Sequence, residues 1–419
     1  MSNWKQTSIG EFIDFNPSES LPKNGKVKKI PMDRLGVFER KIKGYEFSEY
    51  KSGPKFRNGD TLVAKITPCL ENGKTAYVDI LDDEEVAFGS SEFIVLRENE
   101  NSDSNFIYYL ARSPLFREKA ISCMEGTSGR KRVNEGALKR QEILVPNNKL
   151  EQQKIASVLS TIDDKIELNN RINDNLEQMA KTLYDYWFVQ FDFPDENGKP
   201  YKSSGGKMVW NEVLKREIPI GWELKIIGDY CKSRGGFAFK SSWWTTFGES
   251  VIKIKDIQEN CTLNLSDLSL VNLEGKNIDD KFKAKAGDIV IAMTGATVGK
   301  YAIVPNTNKQ LYVNQRVGYF DLGLSPTIKL PYLINSLNQK YFREAIFTLA
   351  SGAAQPNISN EQINSIQLLM PTNQLIENFN SQLKSSYDKI LNNQNENQQL
   401  SSLRDWLLPM LMNGQVKVE

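Results

Sequence analysis

The feature that most constrains this chain is a stretch of nearly forty residues, Lys149 to Trp187, that contains neither proline nor glycine. Apolar side chains recur along it at steps of three and four, at Ile155, Leu159, Ile162, Ile166, Ile172, Leu176, Met179 and Leu183. This spacing predicts a continuous helix, roughly 55 Å long, with one apolar face. Because that face is narrow, it favours packing against a second helix.

A second stretch near the C-terminus repeats the same pattern and supplies the partner. Six pairs of apolar residues keep one offset of 224 positions, which indicates a tandem duplication in which each copy ends in a long helix. The predicted seam between the two helices consists of Ile155, Leu159, Ile166, Leu176, Met179 and Leu183 with Phe379, Leu383, Ile390, Leu400, Leu403 and Leu407. A pair of ordinary core helices is the competing interpretation, but the length of the unbroken pattern favours an exposed spacer.

Each copy also contains short strand-like runs and a helical segment, which predicts an α+β fold. Gly59-Asp60 and Gly287-Asp288 each precede an apolar run typical of a buried strand. The helical segments are predicted at 106–117 and 332–347. The expected organisation is a first globular domain over 1–148, a spacer helix over 149–188, a linker over 189–221, a second globular domain over 222–371 and a second spacer helix over 372–412.

Composition excludes several classes of protein. The chain has no histidine, so mechanisms that need a histidine base or a histidine metal ligand are excluded, and we predict neither catalytic residues nor a metal site. The four cysteines form no CxxC pair, which is typical of reduced thiols in a cytosolic protein. No apolar run approaches the length of a membrane span, so we expect a cytoplasmic protein. The net charge of +1 means that any anionic partner must bind a local patch.

The richest basic region lies between Arg112 and Arg140, and its centre is the turn Gly126–Asn134. Arginine can donate two hydrogen bonds to a guanine edge, so Arg130, Lys131, Arg132 and Asn134 are candidate DNA contacts. A solvated charged loop is the alternative. The second copy carries Gln355 and Asn357 at the corresponding place, and amide side chains suit adenine edges. This difference between the two copies is expected of two domains that recognise different sequences. It also fits two loops without a function, whose sequences have diverged.

The second copy has a further candidate surface between Lys232 and Trp244, where cations, glycines and aromatic residues alternate. Arg234 and Lys240 are therefore also candidate DNA contacts. For Trp243 and Trp244, burial in the core is the alternative to a role in binding.

With these features in place, the chain resembles the specificity subunit of type I restriction–modification systems over essentially its whole length. The segments that carry the resemblance are 183–188, 191–194, 198–206, 216–222, 235–241 and 287–290. The resemblance implies two target-recognition domains separated by an antiparallel coiled coil, each domain binding one half of a split double-stranded DNA target. It also implies two modification subunits, which carry the methyltransferase, and two restriction subunits, which carry ATP-driven translocation and cleavage. S-adenosylmethionine, ATP and Mg²⁺ are accordingly expected on the partners, with no cofactor in this chain.

Because the two copies differ, we expect a bipartite, asymmetric target, with the helices setting the distance between its halves. The repeat order with antiparallel helices also predicts that the two termini lie close together. Two rivals remain: a carboxylate-based nuclease that acts alone, and a coiled-coil adaptor between proteins without sequence-specific DNA binding.

Overall fold

The computed structural model describes residues 4–22, 25–127, 129–258, 260–350 and 355–418. The chain divides into two compact units, each with its own hydrophobic core. Unit 1 comprises Met1–Ile166 with Leu400–Glu419, and unit 2 comprises Glu167–Gln399. This division differs from the boundaries expected from the sequence, because each long helix contributes one part to each unit.

Unit 1 has alternating short strands and helices ahead of the first long helix. In chain order these are β1 (Trp4–Ser8), α1 (Ile9–Phe12), β2 (Asp14–Phe15), β3 (Val27–Ile30), β4 (Glu46–Ser48), β5 (Lys55–Phe56), β6 (Thr61–Ala64), β7 (Thr75–Tyr77), β8 (Ala87–Gly89), β9 (Phe93–Arg97), α2 (Ser104–Arg112), α3 (Pro114–Ser122), β10 (Met124–Glu125), β11 (Arg132–Val133), α4 (Glu135–Lys139) and β12 (Glu142–Pro146).

The first long helix, α5 (Lys149–Tyr184), ends in a π-helical turn over Asp185–Val189. Unit 2 then contains β13 (Met208–Asn211), β14 (Arg216–Pro219), β15 (Glu223–Ile226), α6 (Ile227–Tyr230), β16 (Lys232–Gly235), β17 (Trp244–Thr245), β18 (Glu249–Ile252), β19 (Ser269–Val271), β20 (Lys283–Ala284), β21 (Ile289–Ala292), β22 (Tyr301–Ile303), β23 (Leu311–Val313), β24 (Val317–Asp321), α7 (Leu330–Leu337), α8 (Lys340–Ala350), α9 (Asn360–Asn364) and β25 (Gln367–Met370). The second long helix is α10 (Asn373–Met412).

The sheets of the two units have the same strand order, which confirms the duplication and the α+β class. Unit 1 contains the sheets β2-β9-β6-β7 and β4-β3-β8-β5, and unit 2 contains β16-β24-β21-β22 and β19-β18-β23-β20, with β17 added beside β19. In each unit only one strand pair within these sheets is parallel, β3 with β8 and β18 with β23. The pairs β1–β12 and β15–β25 are also equivalent.

Two details differ from the sequence prediction. The helical segments expected at 106–117 and 332–347 are each two helices, α2 with α3 and α7 with α8. In unit 1 the break falls at Pro114, which occupies the first turn of α3, where its missing N–H costs nothing. The segment expected to be a linker contains the antiparallel hairpin β13–β14.

The two long helices run antiparallel within each unit. In unit 1, Ile155 and Leu159 of α5 share a core with Leu408 and Leu411 of α10. Trp4 lies against Gly414, so the described residues near the two termini are close together, as predicted. In unit 2, Asn173 accepts a hydrogen bond from Asn393 at 2.8 Å. Asn169 donates to Glu396 at 2.8 Å and to Asn397 at 2.9 Å.

Two of the twelve predicted seam residues lie outside the seam. Met179 is 63% exposed and Leu403 is 44% exposed, whereas their neighbours Ala180 and Arg404 are buried. The other ten are buried or partly buried: Ile155, Leu159, Ile166, Leu176, Leu183, Phe379, Leu383, Ile390, Leu400 and Leu407. The buried positions here are Ala180 and Arg404, which carry a small and a charged side chain. In each case the sequence prediction selected the apolar residue one position earlier.

Candidate nucleic-acid interface

The basic turn of unit 1 is held against the loop after β6 by a set of backbone hydrogen bonds. The N–H of Lys65 donates to Glu92 O at 2.9 Å, and the N–H of Val133 donates to Lys65 O at 2.9 Å. Thr67 N–H donates to Lys131 O at 3.0 Å, and Ile66 forms a β-bridge with Arg132. We call these three segments, 65–67, 92 and 131–133, the first junction.

Local sequence explains why the basic turn adopts this form. The strands β10 and β11 pair as a short antiparallel hairpin. Gly126 at its start has φ +123°, and a Cβ there would lie 3.2 Å from the Arg130 carbonyl oxygen. Glycine is the residue that tolerates both conditions. The turn that carries the cations is therefore anchored by the β10–β11 hairpin.

The three cations of the turn differ in their surroundings. Arg130 and Lys131 are exposed, and neither forms an ion pair within the described part of the chain. Arg132 is bound by Glu92, with its Nη2 2.7 Å from Oε1 and its Nε 2.9 Å from Oε2. This hydrogen bonding holds the pKa of the Glu92 carboxyl below its ordinary value. Two exposed cations and one guanidinium oriented by a carboxylate therefore lie side by side.

Asn134 has a structural role that the sequence did not predict. Its side-chain oxygen accepts from Ala137 N–H at 3.0 Å and caps α4, and its amide donates to Glu125 at 2.9 Å. These two bonds use one amide hydrogen and one lone pair of the oxygen, so Asn134 holds the turn in place and also stays a predicted DNA contact.

Two further members of the predicted basic region, Arg112 and Arg117, are not exposed. Arg112 is buried and pairs with Asp405 at 2.9 Å. The Arg117 guanidinium donates to the Glu71 carbonyl at 2.8 Å and lies 4.6 Å from the centre of the Phe38 ring. The exposed positive charge of this region therefore lies in the turn and at Lys139 and Arg140.

Unit 2 repeats the backbone arrangement with different side chains. The N–H of Met293 donates to Arg316 O at 3.1 Å, and the N–H of Ile358 donates to Met293 O at 2.9 Å. Gly295 N–H donates to Pro356 O at 2.9 Å, and Thr294 forms a β-bridge with Asn357. These segments, 293–295, 316 and 356–358, form the second junction.

Gln355 and Asn357 of the second copy are both exposed, and Asn357 occupies the position that Arg132 has in unit 1. A Cβ added to Gly295 would lie 3.6 Å from the Gln355 amide nitrogen, so Gln355 lies next to the second junction. Residues 351–354, which the sequence places in the same loop, lie outside the described residues.

Arg234 and Lys240 lie on a different part of unit 2. Arg234 pairs with Asp321 at 2.9 Å, which occupies one edge of its guanidinium. The Lys240 ammonium is exposed and lies 5.9 Å from the centre of the Trp243 ring. Trp243 and Trp244 are partly buried against an aromatic cluster, as the core interpretation expects, and a role in binding stays a prediction.

The sequence prediction missed two residues of the junctions, Glu92 and Arg316. They lie 224 positions apart, the same offset that relates the long helices, and the equivalent backbone hydrogen bonds connect them to their junctions. The offset of 224 positions could have related the two residues to each other, but neither residue lies in a basic run or a recognisable motif.

None of the described helices is long and apolar enough to cross a membrane. Over the same residues, cysteine, aspartate and glutamate side chains form no group of three or more that could hold a metal ion.

Comparison with known proteins defines the class to which this fold belongs. The family model of the type I restriction modification DNA specificity domain matches residues 1–178 and 219–401. The chain belongs to this family, and the two matched regions correspond to its two repeated copies.

Individual relatives carry the same description. The specificity subunit of the type I restriction enzyme HindI from Haemophilus influenzae is 28% identical, over 99% of this chain and 100% of that protein. The MjaIX specificity subunit from Methanocaldococcus jannaschii is 27% identical, over 75% of this chain and 70% of that protein.

Among solved structures, the S subunit of a type I restriction–modification system from M. genitalium has the same fold. The TM-score is 0.55 at 18% sequence identity, and the match covers 98% of this chain and 96% of that one.

Proposed function

We propose that this chain is the DNA specificity subunit of a type I restriction–modification complex, and that it has no catalytic activity of its own. Each unit recognises one half of a bipartite, asymmetric DNA target. The observation that carries this proposal is the pair of junctions. They share one backbone arrangement, yet they present arginine and lysine in unit 1 and amides in unit 2. Recognition of two different half-sites requires a shared backbone arrangement whose exposed side chains differ between the units.

The proposed DNA contacts are Arg130, Lys131, Arg132 and Asn134 in unit 1 and Gln355, Asn357, Arg234 and Lys240 in unit 2. In unit 1 the free cations Arg130 and Lys131 are suited to phosphates, since they can follow the DNA backbone without losing an internal ion pair. Arg132 is suited to a base edge, because Glu92 fixes the plane of its guanidinium.

The partners follow from the same proposal. The long helices dock two modification subunits and set the distance between the half-sites, and two restriction subunits complete the complex. S-adenosylmethionine, ATP and Mg²⁺ bind these partners. In unit 1, Leu403 and Trp406 are exposed on α10, which gives the helix an apolar surface that a partner subunit can cover.

Mapping of methylated adenines in cells that express this chain with its modification partner tests the proposal. We expect a split target whose two halves differ. Replacement of Arg130 and Arg132 by alanine should relax or abolish recognition of one half only, because both residues belong to unit 1. The matched control replaces Gln355 and Asn357 by alanine, which should affect the other half.

Circular dichroism and thermal unfolding of both variants would establish that they are folded. If the double arginine variant lost both halves, or neither, the assignment of unit 1 contacts would be wrong. Gel shifts of the complex without any sequence-dependent binding would favour the remaining alternative, an adaptor between proteins.

A further inference from the structure

Arg316 lies at the same point of the second junction that Glu92 occupies in the first. The carbonyl oxygen of Arg316 accepts a hydrogen bond from the N–H of Met293, in the loop after β21. The carbonyl oxygen of Glu92 accepts the equivalent bond from the N–H of Lys65, in the loop after β6. The two side chains thus start from equivalent backbone positions, but their charges are opposite.

The geometry of the first junction shows what these positions can reach. Glu92 and Arg132 contact each other across the 65–67 segment, with a nitrogen–oxygen distance of 2.7 Å. Since Asn357 is the equivalent of Arg132, Arg316 and Asn357 occupy the two backbone positions from which Glu92 and Arg132 reach each other. A guanidinium and an amide therefore start from neighbouring positions on either side of the 293–295 segment.

Unlike several other arginines of the chain, Arg316 has no acidic partner among the described residues. It is exposed, and no ion pair joins it to any acidic side chain among the described residues. None of residues 293–295, 314–317 and 355–358, which form the second junction and its flanks, is acidic. In contrast, Arg97, Arg112, Arg132, Arg234 and Arg404 all form ion pairs.

We propose that Arg316 is a specificity-determining residue of unit 2, and that its guanidinium binds the O6 and N7 atoms of a guanine in the second half-site. This inference rests on the proposed function. Guanine is the base whose major-groove edge offers two acceptors to the arginine fork, and Asn357 beside it suits an adjacent adenine. The exchange of Glu92 for Arg316 then explains how one framework serves two different half-sites: the first unit uses its carboxylate to orient Arg132, and the second presents the cation from the opposite segment.

The test uses the full chain in complex with its modification partner. The probe is a duplex of the target found by methylated-adenine mapping, together with duplexes carrying each base change in each half. Arg316→Ala should lose discrimination at one G·C pair of the second half by about 5- to 150-fold. Discrimination at the other positions, and throughout the first half, should stay unchanged. Arg316→Lys keeps the charge but not the fork, so it should not restore discrimination.

The alternative role, a contact with phosphate, gives a different pattern. Arg316→Ala would then weaken binding equally for all duplexes and reduce the salt dependence, and Arg316→Lys would restore both. That result would overturn the proposal. Lys225→Ala is the matched control, since Lys225 is an exposed cation of unit 2 on the β15–β25 ladder, outside the second junction.

A double exchange, Arg316→Glu with Asn357→Arg, transplants the Glu92–Arg132 pair into unit 2. It should change the preferred base at one position of the second half and leave the first half as it was. If the exchanged complex kept the original second half, Arg316 would not determine specificity. Failure of the proposed function is distinct from this outcome, because the wild-type complex would then show no sequence-dependent binding at all.

Discussion

Asp60 and Asp288 are buried in equivalent turns of the two units, but their carboxyl groups have different neighbours. Each accepts a hydrogen bond from the backbone N–H three residues earlier, at 2.9 Å from Arg57 and 2.8 Å from Lys285. In unit 1, Arg97 also binds Asp60, with nitrogen–oxygen distances of 2.6 and 2.7 Å. In unit 2 the position of Arg97 is taken by Asp321, which cannot donate.

Because Asp321 replaces the arginine at this position in unit 2, the ionisation of the Asp288 carboxyl group is affected. Burial raises the pKa of Asp288 to about 7, and the negative charge of Asp321 adds to the effect, while Lys285 opposes it. Because the folded-state pKa lies above the unfolded value of about 4, the stability contributed by the neutral carboxyl is fully present below pH 4. It is lost as the pH rises towards 7, by an amount on the order of 3 kcal/mol.

Replacement of Asp288 by asparagine should therefore stabilise unit 2 at pH 8 and have little effect at pH 5, since asparagine keeps the backbone hydrogen bond without a charge. The equivalent change Asp60→Asn should destabilise unit 1 by roughly 3 kcal/mol, because it leaves Arg97 with only its contact to Glu19. Hydrogen exchange of the β21 and β6 amides at both pH values measures each unit separately. An Asp288→Asn variant with the pH dependence of the wild type would contradict this account.

The Gly-Asp turns were predictable from the sequence, but the state of their carboxyl groups was not. The turn is a local pattern: Gly59 and Gly287 have φ of +91° and +87°, which glycine adopts without strain. Arg97 and Asp321 reach the turns from β9 and β24, more than thirty residues further along the chain. Only the sheet pairing brings them there.

At the scale of elements, the helix pair of unit 2 has a polar layer inside its seam. Seam positions of α5 alternate by four and three residues, and Asn169 and Asn173 occupy two of them between Ile166 and Leu176. Asn173 and its partner Asn393 are buried, at 7% and 1% exposure. Paired amides in an otherwise apolar seam favour one register, since displacement would bury them without partners.

The seam was predicted from apolar residues alone, which explains both its successes and its errors. Ile155, Leu159, Phe379 and Ile390 are apolar and buried, so the pattern located them. Asparagine is usually a surface residue, and a sequence pattern does not show that two asparagines more than two hundred positions apart satisfy each other. For that reason the polar layer was missed.

Leucine substitutions test the polar layer. Either Asn173→Leu or Asn393→Leu alone should lower the stability of unit 2 by roughly 1–3 kcal/mol, because the remaining amide is buried without its partner. The double variant should regain most of this loss or exceed the wild type. Denaturant unfolding of all four proteins gives the coupling energy. Asn175→Leu, at an exposed position of α5, controls for the greater helix propensity of leucine, and additive effects of the two single changes would argue against the pairing.

At the scale of the whole molecule, unit 1 is built from two segments that are distant in the sequence. Leu408, Leu411 and Met412 of α10 are buried in its core beside Ile155 and Leu159. Arg404 pairs with the buried Asp163 at 2.6 Å. The duplication predicted two similar folds correctly, since a constant offset is visible in a single sequence. The division of each long helix between the units was not predicted, because contacts rather than helix ends determine it.

Truncation after Gln399 should therefore unfold unit 1, while truncation after Gly414 should leave it folded. Loss of the three buried side chains costs on the order of 2–5 kcal/mol each, and the sum is comparable to the whole stability of a typical domain, about 5–15 kcal/mol. Asp163 would also lose the hydrogen bond that it accepts from the Arg404 guanidinium. Limited proteolysis followed by mass spectrometry would show cleavage within 4–166 in the shorter protein alone. Equal resistance of both truncated proteins would disprove the contribution of α10.

The participation of residues 400–418 in unit 1 also affects the order of events during synthesis. A ribosome translating this chain makes the β-strands of unit 1 first, yet the leucines that complete their core emerge after the whole of unit 2. The N-terminal segment of unit 1 therefore stays incompletely packed while more than two hundred further codons are translated. A nascent chain that stalls late in translation would carry a finished second half and an unfinished first.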